Sequence, residues 1–185
     1  MAKKAPVFIL EGTWWSHHEV PMLLPYFNAL ATSQADIELS HRTIRCVDDI
    51  RYYVSKIPKN AGALLYFACH GEDQKLFPVA DKKGINQEAL VGALSHAKEG
   101  AVSFVHFGCC EIVDAAQRRA CHQPIMEATN ARWVSGYTTE VDWLQSTFLD
   151  LALVAEVYVP DYQARDGRTA PLKRSADQFV NNYEQ

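Results

Sequence analysis

The sequence predicts an α/β fold built on a mostly parallel sheet with helices packed against it. Three observations predict it. Apolar, strand-like runs alternate with segments of helical periodicity, the pattern of repeated βα units. The run ALLYFA at 63–68 is apolar almost throughout, as a parallel strand covered on both faces must be. The chain's 185 residues, 48% hydrophobic and 22% charged, suffice for one domain with a sizeable core.

The first strand is PVFILEG, 6–12. A Ser16-x-x-Glu19 capping box follows and opens a helix on which Val20, Leu23, Leu24, Phe27 and Leu30 fall at helical spacing. Pro25 forces a kink or a late start, because proline cannot continue an ideal helix. The second strand is 37–45. It leads into VDDIRYYVSKI, a helix with acids in its first turn and Ile50, Val54 and Ile57 on one face. ALLYFA is the third strand. KLFPVADKKG, 75–84, reads as a short hairpin with a DKKG turn, and NQEALVGALSHA as the helix after it. AVSFVHFG, 101–108, is the fourth strand, followed by a helical stretch from about Glu111 to Ala128 interrupted near Pro124. ARWVSGY, 131–137, is the fifth, and the helix beyond it carries Val141, Leu144, Phe148, Leu151 and Ala155 on one stripe. Composition turns polar after Pro160. The expected domain therefore spans 1–160. A polar extension, 161–185, holds a short amphipathic helix (Leu172, Ala176, Phe179, Tyr183) expected to dock on the domain.

The net charge of −4 and pI of about 6.0 leave no positive excess to collect phosphates, which argues against nucleic acid or an anionic membrane as partner. No apolar run has the length of a membrane span, and the N-terminus lacks a long apolar leader core, so the expected compartment is the cytoplasm. The five cysteines show no disulfide-framework spacing and read as reduced thiols.

In open parallel sheets, sites form beyond the carboxyl ends of the strands. His70-Gly71 stands at the end of the third strand and Cys109-Cys110 at the end of the fourth. An imidazole and a thiol on neighbouring strand ends can do nucleophilic catalysis, the imidazole taking the thiol proton. Gly71 leaves its N–H open to a carbonyl oxygen. The N–H of Cys110, expected at a helix N-terminus, supplies a second donor. Cys69 and Cys109 read as core filler, Cys46 as structural, and His106 as a buried, hydrogen-bonded residue inside its strand.

ALLYFACHGE followed by VSFVHFGCCE resembles the caspase-like (clan CD) cysteine peptidases, and the intervening strand-turn-strand-helix stretch resembles CHAT-type members. The resemblance covers about residues 6–157. It implies a three-layer caspase-like sandwich and a cysteine endopeptidase working through a thioester, with His70 and Cys110 as catalytic pair and the backbone of Gly71 and Cys110 as oxyanion donors. Cys109 stands where the family more often has alanine. GYTTEVDW resembles one wall of the family's specificity pocket. Glu140 and Asp142 there suit a Lys or Arg by charge pairing, with Tyr137 as a wall. The competing reading, given more weight, is that Asp142 or Thr139 caps the following helix. The implied partners are a protein or peptide substrate and, since no further domain is read here, a separate regulatory protein. A second reading keeps the fold and makes it a catalytically silent interaction module. The Cys and His doublets lack C-x₂-C or H-x₃-H spacing, so neither metal nor cofactor is expected. A nucleotide-binding reading lacks a G-x-G-x-x-G or a P-loop.

Overall fold

A computed structural model describes residues 4–14, 22–33, 36–79, 83–113, 118–164 and 178–179. Five strands form an all-parallel sheet in the order β2-β1-β3-β6-β7: β1 Ala5–Glu11, β2 Ile37–Thr43, β3 Ala63–Ala68, β6 Val102–Phe107 and β7 Trp133–Gly136. All five match the strand runs read from the sequence. Between β3 and β6 lie two short strands, β4 His70–Glu72 and β5 Lys75–Phe77, paired antiparallel.

Period-2 alternation divides the sheet's side chains between two faces. Leu65, Phe67, Val105 and Phe107 join a core under α2 Val47–Lys56, α3 Gln87–Leu94 and α4 Arg118–Thr129. Leu64, Tyr66 and Phe104 join a second core with α1 Leu24–Ser33, α5 Trp143–Leu153, a π-helical turn Val154–Tyr158 and α6 Val159–Ala164. The result is a three-layer α/β/α sandwich. Phe67 stacks on Phe107, its register partner, at 5.1 Å between ring centroids. Each such fully buried aromatic side chain contributes about 1.5–3 kcal/mol.

Several local readings meet the structure differently. Helix α1 starts at Leu24, one residue before Pro25, so the proline sits in the first turn where its missing N–H costs nothing. The capping box Ser16–Glu19 lies outside the described residues. Leu76 exchanges main-chain hydrogen bonds with Ile85, just past the 75–84 stretch, and Asp81 and Lys82 of the DKKG turn read there lie outside the described residues. The tighter hairpin, however, is β4–β5, turning at Asp73 and Gln74, both at positive φ as a primed two-residue turn requires.

The helix expected from Glu111 does not begin there. Glu111 has φ 48°, a left-handed conformation that no helix start adopts. Helix α4 then runs straight through Pro124. A proline in a helix lacks the N–H that would bond the carbonyl four residues back. That carbonyl is Ala120's, and the Gln87 side chain donates to it at 3.2 Å and to the Cys121 carbonyl at 2.9 Å.

The stripe read on α5 is also corrected. Leu144 is 42% and Phe148 56% exposed, while Thr147, Asp150 and Leu153 face inward. The boundary drawn at 160 falls inside the helical run that ends at Ala164, where Asp161 and Tyr162 are buried. Within the extension, Phe179 packs against the second core, and Leu172, Ala176 and Tyr183 lie outside the described residues. No helix among the described residues is long and apolar enough to cross a membrane.

Candidate active site

The strand order reverses between β1 and β3, since β2 lies to one side of β1 and β3, β6 and β7 to the other. Ligand crevices in such sheets open at this point, beyond the strands' carboxyl ends. Three chain segments follow one another along this edge: the turn after β1 with Trp14, the β4–β5 hairpin with His70 and Gly71, and, one strand further, the turn after β6 with Cys109 and Cys110.

Glu11 closes β1 with a buried carboxylate. Its Oε1 accepts from the Trp14 indole N–H at 2.9 Å and the Leu23 N–H at 3.0 Å, and its Oε2 lies 2.6 Å from His41 Nε2. Trp14, held this way, stands edge-on to His70 with ring centroids 5.7 Å apart. His70 Nε2 meets the Trp14 main-chain oxygen. A carbonyl only accepts, so Nε2 carries the proton, and in the neutral ring Nδ1 carries the lone pair. Burial pushes the His70 pKa below its ordinary value, which keeps the imidazole neutral at pH 7.

Gly71 lies against Cys109 and Cys110. A side chain at residue 71 would collide with the Cys110 carbonyl oxygen, and its Cβ would also stand 3.1 Å from the Cys109 Cβ. Only glycine allows this approach. Cys110 is half-buried, and its Sγ lies 3.5 Å from the Val141 N–H and 3.8 Å from the Val141 oxygen. The sulfur thus faces a main-chain donor from the segment after β7 rather than a helix N-terminus, which corrects the expectation for this turn. That segment also receives the Glu111 N–H at the Thr139 oxygen, 3.4 Å, and the Val113 N–H at the Tyr137 oxygen, 3.2 Å. The Gln74 N–H donates to the Glu111 oxygen at 3.1 Å and ties the hairpin to the same turn.

Cys109 is wholly buried. Its thiol points at the Phe67 carbonyl at 3.4 Å and lies 3.8 Å from the Cys69 sulfur. Burial, reinforced by Cys69, pushes its pKa well up, so Cys109 stays a thiol.

Beside these residues opens a cleft of about 340 Å³, lined by His70, Gly71, Glu72, Phe77, Glu111 and Glu140. Of the residues read as specificity determinants, Glu140 lines the cleft. Asp142 does not: its Oδ1 accepts from the Leu144 and Gln145 N–H groups at 3.0 and 2.9 Å and caps α5. Tyr137 turns inward. Its hydroxyl donates to Asp150 Oδ1 at 2.6 Å, and burial together with Asp150 raises its pKa.

Sequence reasoning passes over Asp150. It is 1% exposed on α5 and gathers Tyr66, His106 and Tyr137, the His106 Nε2 at 2.7 Å. His106 Nδ1 in turn meets the Ser135 hydroxyl at 2.7 Å. One signal was available: a lone acid inside the apolar helix STFLDLAL. Gly108 passes directly over this network, where an added Cβ would lie 2.9 Å from Asp150 Oδ2. Trp15, His17 and His18 lie outside the described residues. Among the described residues, no group of three or more His, Cys, Asp or Glu is arranged to hold a metal ion. No family model matches the chain, and no curated protein matches it.

Proposed function

We propose that the chain is a caspase-like cysteine endopeptidase of the CHAT type, with Cys110 as nucleophile and His70 as base. The observation that carries this reading is the contact of Gly71 with the Cys110 backbone beyond the carboxyl ends of β3 and β6, beside an open cleft. A neutral His70 suits a general base, which takes the thiol proton as Cys110 Sγ attacks the peptide carbonyl. The leaving amine receives that proton, and water then hydrolyses the thioester. The backbone N–H groups of Gly71 and Cys110 are assigned to the oxyanion, and the Val141 N–H to the negative charge that develops on the sulfur as its proton leaves. Glu140, with Glu72 and Glu111, gives the cleft a preference for a Lys or Arg side chain before the cut bond.

The test needs no substrate. Iodoacetamide alkylation of each cysteine is followed against pH by peptide mass spectrometry, in wild type and His70→Ala. Cys110 is expected to react fastest. Its rate should fall on acidification as His70 gains a proton, a step that burial moves below the ordinary histidine range of about 6.5. His70→Ala should remove that step and slow the reaction. In a peptide-cleavage assay, Cys110→Ala should abolish turnover and His70→Ala should lower it by about 10²-fold or more. An inert Cys110 that is indifferent to His70 sinks the reading in favour of a silent interaction module.

A further inference from the structure

We propose that Cys69 and Cys109 are a modification site, a thiol pair that hydrogen peroxide converts to a reversible disulfide beneath the candidate dyad. Phe67 and Phe107 are register partners, and the Gly108 N–H donates to the Phe67 carbonyl at 2.9 Å. Cys69 and Cys109 each lie two residues beyond that pair, and both join the core that holds Phe67 and Phe107. The sulfurs already stand 3.8 Å apart. Closing to about 2.05 Å needs side-chain rotation but no change of strand pairing.

Two glycines hold the pair in place. An added Cβ at Gly12 would stand 2.9 Å from the Cys69 Cβ, and one at Gly71 would stand 3.1 Å from the Cys109 Cβ. Backbone therefore backs each cysteine, and neither can retreat from the other. Both are buried, so alkylating reagents and peroxide alike reach them only when the strand ends open transiently.

The chemistry balances with peroxide as the named oxidant. One thiol is oxidised to a sulfenic acid as peroxide is reduced and water leaves. The second thiol sulfur then attacks the sulfenic sulfur, expelling its hydroxyl, which leaves as water with the second thiol's proton. A thiol reductant reverses the bond. His70 and Cys110 each directly follow one member of the pair, so bridging draws together the two strand ends that carry them. This last consequence rests on the peptidase reading; the disulfide itself does not.

To test it, the reduced full-length chain is treated with graded hydrogen peroxide and trapped with N-ethylmaleimide under denaturing, non-reducing conditions. Digestion and mass spectrometry then map the sulfurs. The expected result is a cross-linked Cys69–Cys109 peptide lighter by two hydrogens, formed equally in Cys110→Ser and lost on dithiothreitol treatment. The proposal is overturned if both residues remain maleimide-labelled while Cys110 is over-oxidised, or if the bond found joins Cys109 to Cys110. Alkylation of Cys110 is then timed in the reduced and oxidised chains. Different rates support a switch, and equal rates overturn that part. A Cys110 inert in both forms, with the cross-link still made, sinks the peptidase reading and leaves the modification site standing.

Discussion

At the scale of single residues, the site depends on what position 71 lacks. Gly71→Ala would drive a methyl group into the Cys110 carbonyl, with Cys109 closing the other side, so the strand ends must part. Overpacking of this kind costs about 1–3 kcal/mol. Gly92 is the control, since nothing lies within 4 Å of its added Cβ on helix α3, and Gly92→Ala should stabilise by about 0.5–1 kcal/mol. Urea denaturation of both variants checks the pair, with Cys110 alkylation as a second readout expected to fall in Gly71→Ala alone. His70, Gly71 and Cys110 were legible because each is a chemistry-bearing or conformationally special residue at the end of an apolar run. Asp142 was legible as a cap for the same local reason. Tyr137 was not. Its hydroxyl is claimed by Asp150, thirteen residues on, a partner that no local pattern announces.

At the scale of elements, hydrophobic periodicity located every strand of the parallel sheet but misjudged helix α5. Leu144 and Phe148 of its apolar stripe are exposed while Leu151 packs against the second core, and the buried face carries Thr147 and Asp150. Both polar groups are satisfied inside the protein, Thr147 by the Trp143 carbonyl at 2.7 Å and Asp150 by Tyr66, His106 and Tyr137. A pattern that counts only apolar residues cannot see a face held by hydrogen bonds. Removing the carboxylate should therefore cost far more than removing the exposed phenyl ring. Asp150→Ala strands the buried Tyr66 and His106 donors, leaves the Tyr137 hydroxyl only the Ser146 carbonyl, and is expected to destabilise by about 3–5 kcal/mol. Phe148→Ser should stay within about 0.5 kcal/mol. Thermal or urea unfolding decides it, and equal effects would contradict the burial assigned to α5. The β4–β5 hairpin escaped notice because Asp73 and Gln74 take positive φ without the glycine that usually announces it.

At the scale of the whole molecule, charge and topology act together. The chain carries a net charge of −4, and the cleft beyond the carboxyl ends of β3, β6 and β7 is lined by Glu72, Glu111 and Glu140. If the proposed activity holds, cationic peptides are steered toward this edge. Cleavage of a Lys- or Arg-containing peptide should then slow by about tenfold from low to high salt, as screening removes the steering. Equal cleavage of neutral and basic peptides, insensitive to salt, would remove the acidic cleft from the account of specificity.

The π-helical turn at Val154–Tyr158 bears on which length changes the chain tolerates. In it the Val159 N–H reaches back five residues to the Val154 carbonyl, so the turn holds one residue more than an α-helical turn would. Deleting a single residue there would let the turn close to the ordinary four-residue reach, so the wide turn absorbs the loss. The chain beyond it, with Asp161 paired to Arg132, would keep close to its present phase on the sheet. The same deletion in an uninterrupted α-helix would swing everything after it by about 100°. The spare residue is thus slack stored in the helix, and the stretch just before Tyr158, which holds the Pro6 and Gly62 carbonyls, is where this part of the chain can change length at least cost.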